Sequence, residues 1–218
     1  MTSDTIPAYT YEKDPSAIYR QSFSIVREEA ELSHLPEDLR PAAIRLIHAC
    51  GMTDLPRDLA WSDGVTDAAR RAFANGAPVF CDVEMVAHGI IASRLAKETH
   101  IVCTLNDASV PDRARKLGTT RSAAAVELWR DRLEGAVVAV GNAPTALFHL
   151  LEMIAAGGPK PALILGFPVG FVGAAESKDA LIANPFAIPF LAVTGRRGGS
   201  AMAAAAVNAL AAGLPEET

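Results

Sequence analysis

The sequence predicts an α/β fold: a three-layer α/β/α sandwich in which a mainly parallel five-stranded sheet carries helices on both faces. Three observations predict it. Short apolar, largely β-branched runs recur at residues 79–81, 101–105, 136–140, 162–165 and 188–193. Helical sequence separates each run from the next, which is the alternation of successive βαβ units. No linker, internal repeat or low-complexity stretch divides the 218 residues, so a single domain is expected.

Each element can be justified in order. Asp14-Pro15 is a cap followed by proline at the first helical position. The helix should run to about Leu32, with Ile18, Ser22, Ile25 and Val26 on one face. Ser22 is the polar exception there; it either bonds a carbonyl one turn back or touches a ligand. A second helix is expected from about Asp38, with Pro41 in its first turn, Ala43, Ile44 and Ile47 as apolar positions, and Gly51 as its stop. His48 then falls in the last turn, where unpaired carbonyls favour a cation and raise the proton affinity of an imidazole. Such a histidine is either a proton or hydrogen-bond donor, or a residue that helps to end the helix.

Asp63 should cap a third helix ending at Asn75-Gly76. Helical sequence follows the first strand from about Val83. More follows the second, including a clear helix over Arg121–Leu133. Asn142 is placed to cap a helix from Pro144 to Ala156, and another helix is expected near Ala174–Ala183. The last helix, Ser200–Ala212, is rich in alanine and reads as a helix that approaches its neighbours closely. It is too short, and too interrupted by Asn208, to span a bilayer. Residues 1–10 read as a poorly ordered N-terminal extension.

Composition excludes several functions. Half the residues are apolar, 21% are charged and the net charge is −5, the profile of a globular chain rather than a disordered or membrane-spanning one. A mildly acidic total argues against nucleic acid as a partner. The first residues lack a targeting pattern, so a cytoplasmic location is expected. Cys50, Cys81 and Cys103 form no C-x-x-C pair, and the latter two sit in strand-like runs as core thiols.

Candidate chemistry concentrates in three loops that follow predicted strands: Gly141-Asn-Ala-Pro-Thr145, the stretch from Gly166 to Lys178, and Thr194-Gly-Arg-Arg-Gly-Gly-Ser200. In a parallel sheet all three emerge at the carboxyl edge, where open α/β folds bind ligands. Arg196 and Arg197 precede two glycines and a helix start, a combination suited to carboxylates or phosphates. Arg121 stands in the first turn of a helix, where the dipole disfavours a cation. It is either a ligand anchor or a solvated surface residue. Glu84 and His88 share a helical face but make only half a metal site, so no metal is expected. Asp82, near a strand end, orients a ligand or bonds backbone groups. No G-x-G-x-x-G follows the first strand, and neither a Walker lysine motif nor a nucleophile elbow occurs.

Several stretches together carry a resemblance. Ala17-Ile-Tyr-Arg-Gln-Ser-Phe23, Ile47-His-Ala-Cys-Gly51, Cys81-Asp-Val-Glu-Met-Val-Ala-His-Gly89 and Thr120-Arg-Ser-Ala-Ala124 resemble the precorrin-8X methylmutase family. So do Val140-Gly-Asn-Ala-Pro-Thr-Ala-Leu147, Gly170-Phe-Val-Gly-Ala-Ala-Glu-Ser-Lys178 and Gly198-Gly-Ser-Ala-Met202. The resemblance covers nearly the whole chain. It implies an isomerase of cobalamin (vitamin B12) biosynthesis that moves the ring C methyl group of precorrin-8X from C-11 to C-12, giving hydrogenobyrinate. It also implies a homodimer with shared active sites and no cofactor.

By the same resemblance His48 matches the catalytic histidine and Ser22 a substrate-binding serine. Arg121, Lys178, Arg196 and Arg197 are inferred from their charge and position as anchors for the acidic side chains of the tetrapyrrole. Phe167, Val169 and Phe171 are inferred as apolar walls. Two other readings compete. An S-adenosylmethionine-dependent methyltransferase would want a glycine-rich loop where this chain has Asp82-Val-Glu. A tetrapyrrole carrier without turnover would share every anchor but leave His48 dispensable.

Overall fold

The computed structural model describes residues 9–214. The expected extension at residues 1–10 falls mostly outside that range; Tyr9 and Thr10 are exposed and belong to no helix or strand. The elements are α1 (Pro15–Glu29), α2 (Arg40–Cys50), β1 (Leu59–Trp61), α3 (Val65–Ala74), β2 (Val79–Cys81), α4 (Glu84–Gly89), β3 (Ile101–Cys103) and α5 (Val110–Leu117). They continue as α6 (Arg121–Val126), β4 (Val137–Val140), α7 (Pro144–Ala155), β5 (Leu163–Gly166), α8 (Ala174–Ile182), β6 (Phe190–Val193) and α9 (Ser200–Ala212).

The sheet has the strand order β1-β6-β5-β4-β2-β3. The five expected strands run parallel to one another. A sixth, β1, pairs antiparallel with β6 at one edge, Leu59 opposite Val193. Three residues between Asp58 and Ser62 are too few to show a period, so only the long-range pairing makes them a strand.

The period of two along the central strands feeds two cores. Val137, Ala139, Leu163 and Leu165 face α2, α3, α4 and α9. Val138, Val140 and Ile164 face α7, α8 and Trp129 on the other side. Fully burying one such aliphatic side chain is worth about 1.5–3 kcal/mol.

Local signals placed most helix ends correctly and failed at a few. The Asp14 carboxylate accepts from Ser16 N, with proline next in line. Gly51, left-handed at φ 71°, closes α2 by donating from its N–H to the Ile47 carbonyl. Asp63 does not cap α3; left-handed Gly64 takes the cap position without a side-chain bond. Asn142 does not cap α7 either, since Ala143 holds that place. The helix expected over Arg121–Leu133 tightens into a 3-10 segment after Val126. α1 ends at Glu29 and buries Phe23 and Val26, leaving Ile18 and Ile25 more than 40% exposed.

The chain leaves β2 for β3 on one side and then crosses back to β4 on the other, so the winding reverses between β2 and β4. Asp82 stands at that point. Its carboxylate accepts from three consecutive backbone N–H groups, Gly141 at 2.8 Å, Asn142 at 2.9 Å and Ala143 at 2.7 Å. Asp82 therefore holds the loop after β4 rather than a ligand. Burial pushes its carboxyl above the ordinary value, with the three N–H donors pulling the other way. All three partners are donors, so the ionised form satisfies them best.

The three loops do meet at the carboxyl edge. Phe167 N donates to the Val140 carbonyl at 2.8 Å, Gly199 N to the Phe167 carbonyl at 2.8 Å, and Gly170 N to the Arg196 carbonyl at 3.3 Å. The contact tolerates no side chain at Gly198, where a Cβ would sit 2.3 Å from the Phe167 oxygen and 2.6 Å from that of Pro168. Both obstacles are backbone atoms and cannot rotate away. Gly198→Ala is therefore expected to lower stability by about 1–3 kcal/mol, the range for forced overpacking. Chemical denaturation of the purified variant measures it, and an unchanged midpoint would show that the loops can separate.

Candidate active site

His48 and Ser22, 26 residues apart in sequence, come together because α1 lies across the end of α2. Ser22 Oγ is 2.8 Å from His48 Nδ1. Phe23, next to Ser22, is fully buried and anchors this part of α1. Its ring centroid lies 5.0 Å from that of His48, and the Tyr19 ring lies 5.7 Å away. The imidazole is thus backed by two aromatic rings, tied at Nδ1, and left with Nε2 as its free nitrogen.

That environment reverses the proton affinity expected for His48. Burial, and then the charge of Arg45, hold its pKa below the ordinary value. The helix-end carbonyls that favour a cation are outweighed: Gly51 N already satisfies the Ile47 carbonyl, and one side of the ring is covered by Tyr19 and Phe23. Burial and the Arg45 charge both disfavour the imidazolium in the free protein.

A groove of about 230 Å³ opens beside the ring, lined by Arg45, His48, Ala49, Gly89, Ala201, Ala204, Ala205 and Asn208. One wall is the edge of α2, since residues 45, 48 and 49 share a helical face. The opposite wall is α9, whose positions 201, 204, 205 and 208 also share a face, with the Ala201 methyl exposed and those of Ala204 and Ala205 almost covered. Asn208 ties α9 to the end of α4: its Oδ1 accepts from Ile91 N at 2.8 Å and its Nδ2 donates to the Gly89 carbonyl at 3.0 Å. Gly89 lies against α9 so tightly that a Cβ there would come within 2.7 Å of the Ala204 methyl. The result is a smooth, shallow, apolar surface with a polar edge.

The residues inferred as anchors do not gather in this groove. Lys178 is fully buried, and its Nζ donates to the Arg197 carbonyl at 2.6 Å. Arg197 Nη2 donates to Asp54 at 2.8 Å, while its Nη1 lies 3.2 Å from Asp58 as an ion pair without hydrogen-bond alignment. Lys178 fastens the loop between β6 and α9 to α8, and Arg197 fastens it to the segment after α2. Arg196 is exposed, its guanidinium 5.3 Å from the centroid of the Phe171 ring. Arg121 Nη2 donates to the Leu105 carbonyl at 3.1 Å and to Asn106 at 3.3 Å. That gives this first-turn cation an intramolecular reason to stand where the dipole disfavours it. Phe167 is fully buried in the core and is not a wall, whereas Val169 and Phe171 are 41% and 83% exposed.

Sequence reasoning passed over Arg45 and Asn208. Arg45 had a signal: a lone cation inside the apolar run Ala42–Ile47. Asn208 had one too, as the only strongly polar side chain of an alanine helix.

Residues 17–212 match the family model for precorrin-8X methylmutase. A precorrin-8X methylmutase of Pseudomonas aeruginosa is 61% identical over 201 residues, covering 92% of this chain and 97% of that protein. The chain belongs to the precorrin-8X methylmutase family. A Sinorhizobium precorrin-8X methylmutase is 54% identical, covering 94% of this chain and 98% of its own length. The cobalt-precorrin-8 methylmutase of Salmonella typhimurium is 36% identical, with 92% and 96% covered. Among solved structures, precorrin-8X methylmutase from Thermus thermophilus superposes with a TM-score of 0.81 at 38% identity, covering 89% of this chain and 93% of that one. The α/β sandwich is therefore the family's fold.

Burial lowers the Lys178 pKa from 10.5 to about 8, opposed by the charges of Asp179 and Asp58. Between those two values the folded state holds fewer protons at this site than the unfolded chain does. The contribution of Lys178 to stability should thus become more favourable as pH rises from about 8 towards 10.5. Denaturation of wild type and Lys178→Met across that range would reveal it as a pH-dependent difference between them. A difference that stays flat would mean the ammonium is not desolvated.

Proposed function

We propose that this protein catalyses the methylmutase step of cobalamin biosynthesis, moving the ring C methyl group of precorrin-8X from C-11 to C-12 to give hydrogenobyrinate. The observation that carries the mechanism is the Ser22–His48 pair at the mouth of a smooth groove. In a [1,5]-sigmatropic shift the bond from the methyl to C-11 breaks as the bond to C-12 forms. The π electrons of the ring rearrange, and nothing is oxidised, reduced or released. The protein therefore has to supply a shaped surface and a choice of tautomer. A proton or hydrogen bond delivered to ring C from His48 Nε2 makes that choice.

Ser22 suits the donor role because a hydroxyl can both give and accept. It accepts from Nδ1–H of the imidazolium and goes on accepting once Nε2 has given up its proton. It can also donate to Nδ1 in the neutral tautomer that carries its hydrogen on Nε2, so the ring keeps its orientation in each state. The alanine face of α9 receives the flat macrocycle.

A single protomer offers too little enclosure. Sites that surround a ligand of this kind typically measure about 300–1,000 Å³, and this groove is smaller. The exposed side chains of Ile18 and Tyr19 on α1, and of Phe171 and Val172, leave apolar surface on one protomer. A homodimer whose second copy closes the site accounts for both facts. The absence of a methyl donor from the reaction separates this reading from a methyltransferase, and dependence on His48 separates it from a carrier.

Purified protein mixed with precorrin-8X and no methyl donor should develop the absorption of the corrin. His48→Ala should lose at least about a hundredfold in rate, the lower end for general acid–base groups, while binding hydrogenobyrinate with near-normal affinity. His48→Asn keeps a donor but cannot release a proton, so comparison of the two tells hydrogen bonding from proton transfer. A stable, fully active His48→Ala would refute the assignment. Sedimentation at micromolar concentration is expected to give a dimer; an active monomer would remove the shared site.

A further inference from the structure

Packing does not explain Arg45. It sits on α2 between Ile44 and Leu46, is only 7% exposed, and its Nη1 is buried without a hydrogen-bond partner. Its titratable neighbours are Arg94, whose charge disfavours that of Arg45, and Tyr19, whose phenol oxygen favours it. Arg94 is occupied elsewhere, donating to the Ala212 carbonyl at 3.2 Å. No carboxylate among the described residues pairs with Arg45. A buried guanidinium left in that state is costly, and a fold that retains one has a use for it. The position shows the use: Arg45 lines the groove one turn before His48.

We propose that Arg45 is the anion anchor of the groove, taking a carboxylate of the tetrapyrrole and setting ring C against His48. This rests on the reading of the groove as the corrin site. The planar fork of a guanidinium matches a carboxylate with two parallel N–H donors, which fixes orientation as well as position. With His48 three residues further along the same face, one anchored carboxylate places the adjoining ring edge at Nε2.

The anchor has a second effect. In the free protein the positive charge of Arg45 adds to burial in lowering the proton affinity of His48. A carboxylate bound to Arg45 cancels that charge, so the proton affinity of His48 recovers when the ligand arrives. The groups facing the imidazole are Arg45 on its own helix and Ser22 and Tyr19 on α1. The ligand itself therefore prepares the acid that acts on it.

The test uses full-length wild type, Arg45→Met and Arg45→Lys, with hydrogenobyrinate as the probe. Calorimetric titration should show affinity about ten- to a hundredfold weaker in Arg45→Met, as for a lost hydrogen bond to a charged group. Arg45→Lys, which keeps charge but not the fork, should fall between. Arg45→Met should melt at or above the wild-type temperature, because an uncompensated buried charge is gone; a structural arginine would do the reverse. Nuclear magnetic resonance of the His48 ring nitrogens through a pH titration should place its pKa higher in the product complex than in free wild type. It should also lie higher in free Arg45→Met than in free wild type.

Unchanged affinity in Arg45→Met, or a His48 pKa in wild type that does not move on binding, overturns the proposal. If Arg45→Met does not fold, the wild-type resonance titration and Arg45→Lys decide alone. Wild type that converts precorrin-8X while Arg45→Met binds normally would sink this inference and leave the methylmutase reading intact. Wild type that neither binds nor converts would take both down.

Discussion

The close approach of α9 to its neighbours is the constraint on which the structure depends. Ala203 and Ala206 are fully buried and Ala204 and Ala205 nearly so, between the sheet on one side and α2, α3 and α4 on the other. A helix of larger side chains would hold α2 and α4 further from the sheet. Gly141 and Gly89 meet α9 on the same terms: a Cβ at Gly141 would lie 2.8 Å from the Ser200 Cα, and one at Gly89 would collide with Ala204. Small residues on both sides of each contact let backbones approach. Where α9 emerges from the core, those same small residues become the wall of the groove.

From that constraint the site follows. α2 is pressed against α9 along its length and ends at Gly51, which fixes the height at which His48 leaves the helix. α1 is held to α2 by Phe23, and Ser22 is thereby brought to Nδ1. On the opposite flank, the Asp82 clasp, the buried Lys178 and the Arg197 ion pairs stiffen the carboxyl edge without entering the groove. Rigid support around one open histidine suits a reaction that needs a positioned proton and a flat surface more than a nucleophile.

Much of this was legible in the sequence, and the failures share a cause. Strands such as Val79–Cys81 and the helix Ser200–Ala212 declare themselves because their signals are local: β-branched runs, caps and glycine stops. The family motifs singled out His48 and Ser22, and the fold joins them at 2.8 Å. The rest depended on partners remote in sequence. β1 is a strand only because β6 lies beside it. Ile18 and Ile25 are exposed because Phe23 turns α1 onto a different face. Lys178 and Arg197 looked like free cations until the Arg197 carbonyl, Asp54 and Asp58 were brought to them. For His48 the helix end, a local signal, favours the cation, while burial that depends on α1 and the charge of Arg45 disfavour it.

The central claim is that the alanine face of α9 and the edge of α2 form the surface on which ring C meets His48. A crystal structure of the complex with hydrogenobyrinate tests it most directly. The claim predicts the corrin plane against Ala201 and Ala204, with ring C within about 2.6–3.2 Å of His48 Nε2 through its nearest polar atom or one water. A corrin bound against the Val169–Val172 loop, with His48 facing solvent, would contradict it.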